Sequence, residues 1–248
     1  MRHLILSPVA GLLAASTALA QASKHEHAQH DAPDPVEGQA HGVMSSRAGA
    51  PAHGRSSAHL RLSPARRATS ADSARARAIY DTLRRAIAQY ADTTAAVKDG
   101  FRMFAPGVKN QPVYHFTKGG NARRNERGFD AARPTSLLYE RRDGRLRLVG
   151  AMYTAPRGST PAELDARVPL GIAQWHLHTN VCVPKRRQRE RWRETRGKQM
   201  KFGPAGAIAT RADCDVADGR FHEEVLNWMV HVNTAQGRDL KVAFGERH

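Results

Sequence analysis

The sequence predicts an α+β fold, with N-terminal helices packed on a mainly antiparallel β-sheet or small barrel of roughly five to seven strands. Three observations lead there. A helical apolar period is concentrated near the start of the patterned region, alternating strand-like runs dominate the remainder of that region, and two of those runs flank the turn dipeptide Asp143-Gly144. At 248 residues, 40% of them hydrophobic, the chain suits one globular domain with ancillary segments.

Taken in order, residues 1–20 read as an export signal peptide: an early cation at Arg2, an apolar stretch from Leu4 to Leu19, and the small-x-small end Ala18-Leu19-Ala20. Ser7, Pro8, Ser16 and Thr17 interrupt the apolar run, which argues against a membrane-spanning helix. Residues 21–70 are rich in Ala, Ser, Gly, Pro and His and contain no aromatic side chain. Burial cannot offset their ordering entropy, so they are expected to form a disordered tail. Six of the thirteen histidines (His25, His27, His30, His41, His53 and His59) lie in this tail. Such tracts either collect divalent metal loosely or remain solvated linkers.

A single domain is expected over 71–248. Ile79, Leu83, Ile87 and Tyr90 share one helical face, and a second short helix spans Asp92 to Lys98 before Gly100. Ser136 to Arg141 and Arg145 to Tyr153 form a hairpin about Asp143-Gly144, with Leu146, Leu148, Gly150 and Met152 alternating along its second arm. Thr160-Pro161-Ala162-Glu163 supplies a capping residue, a first-turn proline and a capping-box glutamate, so a brief helix starts there. Phe221 to Leu226 reads equally as helix or loop.

The net charge is +16, but the segment 185–201 alone holds nine cations against two acids and reads as a basic insertion. The rest of the domain has an ordinary surface, so the charge total does not imply nucleic-acid binding. The insertion is either a solvated loop or a contact for anionic envelope components, with Trp192 adding an apolar element. An exported chain with two cysteines, Cys182 and Cys214, favours a disulfide; if reduced, Cys182 would instead suit Cu or Zn.

The chemistry-bearing signal is histidine on strands. In Trp175-His176-Leu177-His178-Thr179-Asn180-Val181-Cys182-Val183, alternation puts Trp175, Leu177, Val181 and Val183 on one side and His176, His178, Asn180 and Cys182 on the other. Trp228-Met229-Val230-His231-Val232-Asn233 repeats the pattern with His231 and Asn233, and Tyr114-His115-Phe116 offers a third strand-borne histidine. His115, His176, His178 and His231 are thus the expected ligands of a transition metal, Cu or Zn, with His222, Glu223 and Cys182 in reserve. Asn180, Asn233, Glu223 and Glu224 are candidates to orient the imidazoles. The alternative for each histidine is a polar group hydrogen-bonded within a half-buried strand. No G-x-S-x-G, P-loop, G-x-G-x-x-G or H-E-x-x-H motif occurs, which disfavours the common nucleophile and nucleotide machinery.

Phe101 to Phe104, Tyr114-His115-Phe116, Phe129 to Pro134 with Leu137 to Glu140, Leu148 to Tyr153, Trp175 to His178 and Trp228 to Val232 together resemble a group of secreted bacterial proteins for which no activity is established. The resemblance covers roughly residues 95–235 by pattern. It implies export and a shared β-rich domain, and it carries over no catalytic residue. The expected function is metal binding by an exported, periplasmic or extracellular protein. The alternatives are a metal-dependent hydrolase or oxidoreductase of the envelope, or a metal-free protein held by its disulfide.

Overall fold

Strand alternation and turn chemistry together build an open sheet whose two faces differ. The computed structural model describes residues 58–106 and 111–245. The expected signal peptide and residues 21–57 of the expected tail lie outside the described residues. In chain order the elements are β1 (Leu60–Leu62), α1 (Ser70–Ile87), α2 (Thr93–Lys98), β2 (Arg102–Met103), β3 (Tyr114–Thr117), α3 (Gly119–Arg127), β4 (Ser136–Arg142) and β5 (Arg145–Ala155). Next come α4 (Pro161–Arg167), β6 (His176–Pro184), β7 (Thr195–Arg196), β8 (Gln199–Met200), α5 (Arg211–Val216), β9 (Gly219–Asn233) and α6 (Leu240–Ala243). Seven strands form one antiparallel sheet in the order β1-β6-β9-β5-β4-β3-β2, and β7 and β8 form a separate pair. The sheet ends in two edges, β1 and β2, so the fold is α+β with an open sheet and no closed barrel.

Local chemistry explains the boundaries. Thr69 and Asp72 form a capping box at the start of α1, whose buried side chains include Ala76, Ile79, Tyr80, Leu83 and Ile87. Asp92 caps α2 through the Thr94 amide. Asp143 and Gly144 both have left-handed φ, 50° and 73°, as a two-residue hairpin turn between β4 and β5 demands. Thr160 and Glu163 close a capping box on α4, with proline in the first turn. The main core joins α1 residues to Tyr114, Phe116, Leu137, Tyr139, Ala151, Tyr153, Trp175, Leu177, Trp228, Val230 and Val232 on one face of the sheet.

Four expectations change. First, the tail stops short of residue 70. Leu60–Leu62 pair with β6, and His59, 7% exposed, donates from Nε2 to the Gly206 carbonyl at 2.7 Å. Backbone pairing along an edge strand orders this segment without aromatic burial.

Second, Leu146 and Leu148 pack on the main core while Met152 belongs to the opposite face. The register slips between Leu138 and Tyr139, leaving Val149 as an extra residue that resets the alternation. Third, the β6 alternation does not persist. Asn180 adopts φ of 54°, and beyond it Val181 and Val183 pack with Val225 instead of with Trp175 and Leu177.

Fourth, Phe221–Leu226 is strand within β9, interrupted by a bulge where Leu226 takes φ of 63°. Arg157 clamps that bulge, its Nε donating to the Leu226 carbonyl at 3.0 Å and its own carbonyl accepting from Trp228 Nε1 at 2.9 Å.

The basic insertion folds as a 3-10 turn at Arg189–Arg193 followed by the β7–β8 pair. Arg191 binds Glu194 at 2.7 Å and the Ala217 carbonyl at 2.8 Å, and its guanidinium lies over Phe202. Trp192 packs against the neighbouring apolar clusters. The disulfide Cys182–Cys214 fastens α5 to β6.

Gly219, which opens β9, has both sulfurs against it. A Cβ there would fall 2.5 Å from Cys182 Sγ and 2.8 Å from Cys214 Sγ. Gly219→Ala is therefore expected to cost about 1–3 kcal/mol of stability by overpacking. Denaturant unfolding should show the loss in oxidised protein and a smaller one after reduction; equal losses would mean that the clash with the bridge is not the cause.

Arg66 ties the N-terminal connector to α1 and α4, bonding Asp72 at 2.7 Å and Asp165 at 2.7 Å. The guanidinium, together with the Thr69 amide and hydroxyl, holds the Asp72 carboxyl well below the usual carboxylate range. A depressed carboxylate contributes stability that is present above its ordinary pKa and is lost as pH falls toward the folded value. Asp72→Asn should therefore be less stable than the parent at pH 6, with the gap narrowing from pH 4 toward pH 2 in urea melts.

Candidate metal centre

Each histidine is aimed by the apolar residues beside it. Tyr114 and Phe116 enter the main core and turn His115 to the opposite face; Trp175 and Leu177 do the same for His176 and His178, and Val230 and Val232 for His231. The cross-strand register brings these positions together. His115 is opposite Leu138, Leu138 opposite Gly150, and Gly150 opposite Asn233, two residues from His231. On the other side of β9, His176 is opposite Met229 and His178 opposite Val225.

The four rings form one row. Centroids are 5.6 Å apart for His115 and His231, 5.1 Å for His231 and His176, and 5.6 Å for His176 and His178. Two imidazoles on one ion, with metal–nitrogen bonds of about 2.0–2.1 Å at a tetrahedral angle, place their centroids about 5 Å apart. Aromatic neighbours in general share this spacing; the distinguishing feature is that histidines from three distant strands meet on one face. His115, His176 and His178 are 5%, 1% and 6% exposed, and His231 is half-buried. Among the described residues no three His, Cys, Asp or Glu side chains converge to hold an ion. The arrangement is a row of adjacent pairs, not a cage.

The reserve and supporting residues lie elsewhere. Cys182 is bridged to Cys214 and offers no thiolate while the bridge is intact. His222 accepts a hydrogen bond from Arg220 Nε at 3.1 Å, and burial, with the Arg220 and Arg157 charges, pushes its pKa down. Glu223 pairs with Arg211 and Glu224 with Arg61. Asn180 donates to the Ala58 carbonyl, and Asn233 accepts from the Ala235 amide. None of these contacts orients an imidazole of the row.

Three residues on the histidine face carry chemistry that the sequence pattern did not single out. Met152 and Met229 are register partners of His231 and His176 and are 7% and 4% exposed. Glu140 lines a cavity of about 90 Å³ together with Val113, His115, Leu138, His231 and Asn233. The methionines were visible as members of the alternating runs, where apolar identity hid their donor character. Glu140 gave no signal beyond its place at the end of a strand.

The disulfide and the histidine row should be separable. The bridge closes a loop of 32 residues, so Cys182→Ser with Cys214→Ser should lose about 3–4 kcal/mol by the chain-entropy account. Guanidinium unfolding would measure that loss, and metal content in the same preparation should not change. No protein-family model matches the chain, and comparison with curated proteins and with solved structures found no match.

Proposed function

We propose that this protein binds a transition metal through the row His115, His231, His176 and His178. The observation that carries the reading is the meeting of four histidines from β3, β6 and β9 on one buried face. Neutral imidazole is a borderline-soft donor suited to Cu and Zn, and each adjacent pair supplies two such donors at compatible spacing. Binding would draw the rings of a pair inward onto one ion. The tail histidines upstream of the domain would serve as a weak collector that raises metal concentration near the row.

Export to the periplasm or the extracellular space belongs to the same proposal. It is supported by the signal-like residues 1–20 and by the disulfide. Among the described residues no helix is long and apolar enough to cross a membrane. Arg187, Arg193, Arg196 and Lys198 are exposed around the β7–β8 pair, which supports a weak contact with anionic envelope components.

A second reading, a metal-dependent enzyme, draws on the cavity at the His115–His231 end of the row. It has room for several waters and has Glu140 in its wall. A carboxylate beside an open coordination position is what general-base activation of a bound water requires.

Elemental analysis of untagged protein tests the main reading. Wild-type protein should retain about one equivalent of Cu or Zn. His176→Ala with His178→Ala should lower affinity by at least the ~10–100-fold that loss of a mere supporting partner causes, with circular dichroism unchanged. Background metal in wild-type protein overturns the proposal.

A further inference from the structure

The face that carries the histidines also carries two thioethers in register with them. Met229 lies directly opposite His176 across β6–β9, and Met152 lies directly opposite His231 across β5–β9. Met229 and His231 are two positions apart on β9 and share a face. Opposed residues in an antiparallel pair have Cβ atoms about 4.5–5.5 Å apart. His176, Met229, His231 and Met152 therefore occupy one contiguous patch across three neighbouring strands. Met152 and Met229 are 7% and 4% exposed and pack together with Leu138 and Val149.

Two physical arguments narrow the ion. Zinc takes thiolate, imidazole and carboxylate ligands, whereas thioether sulfur is a soft donor that selects Cu(I). All four donors in the patch are uncharged when the imidazoles are neutral. A buried site built from neutral ligands retains the whole charge of its ion, so a monovalent cation costs less to bury than a divalent one. We infer, resting on the metal-binding reading above, that His176, His231, Met152 and Met229 form a mixed imidazole–thioether site selective for Cu(I). His115 and His178, at the ends of the row, flank that site. The structural alternative is that the methionines only fill space beside Leu138 and Val149, a role in which methionine is common.

Met152→Leu with Met229→Leu separates these roles, because leucine keeps volume and hydrophobicity while removing sulfur. Full-length untagged protein, kept anaerobic, would be titrated with Cu(I) against bicinchoninate as competitor, and separately with Zn(II) against a zinc-responsive dye. Copper X-ray absorption would be recorded on the Cu(I)-loaded wild type.

Wild-type protein should take one Cu(I) with sulfur in its coordination shell, and the double variant should bind Cu(I) at least ~10-fold more weakly while Zn(II) affinity changes little. Equal Cu(I) affinity in the two proteins, or a wild type that takes Zn(II) but not Cu(I), overturns the thioether assignment and leaves the histidine reading standing. A wild type that takes neither ion overturns both. If the double variant does not fold, the absorption spectrum decides alone, and a shell of nitrogen and oxygen only refutes the proposal.

Discussion

A strand packed on both faces has no solvent side to receive its polar residues, and this constraint governs the whole molecule. Trp175, Leu177, Val230 and Val232 must meet hydrocarbon on the helix-covered face, and the two-residue period then leaves His176, His178 and His231 no other direction. A slip of one residue between β6 and β9 would drive imidazoles into the main core and eject tryptophan and valine from it. The histidines are thus held as firmly as the core is, because the same register fixes both. Apolar packing behind the row fixes the direction in which these imidazoles point.

The contrast between the faces gives this placement its meaning. On one side the sheet is filled by aliphatic and aromatic side chains from α1, β3, β4, β5, β6 and β9. On the other, Leu138, Val149, Met152 and Met229 form a smaller apolar cluster into which the imidazoles are set. Imidazole buried where leucine would fit lowers stability unless its nitrogens are satisfied. Histidines of β3, β6 and β9 thus share that face with Leu138, Val149, Met152 and Met229.

Much of this architecture is legible in the sequence because its signals are local. The capping box at Thr160, the Asp143-Gly144 turn and the flanking aromatics of His115 each state their consequence within a few residues. The meeting of His115 with His231 is legible only as a shared orientation, since strand order is not written in the pattern. The left-handed Leu226 is hidden for a physical reason: leucine is not a residue that favours positive φ, and the Arg157 clamp holds the backbone there instead. Asn180 is a residue type that tolerates positive φ, but an unbroken alternation of hydrophobicity masks it. The strand at Leu60–Leu62 is hidden because backbone pairing at a sheet edge needs almost nothing of the side chains.

The turn of the backbone at Asn180 divides β6 into two stretches. Before it lie His176 and His178; after it come Cys182, the bridge to α5 and the basic hairpin with its internal Arg191–Glu194 pairing. Each stretch packs on its own apolar cluster, and Trp192 of the basic segment sits on the cluster beyond the bend. The hairpin nonetheless stays tied to the histidine-bearing stretch, because Gln199 of β8 and His59 bond the same Gly206 carbonyl and His59 adjoins the edge strand that pairs with His176 and His178.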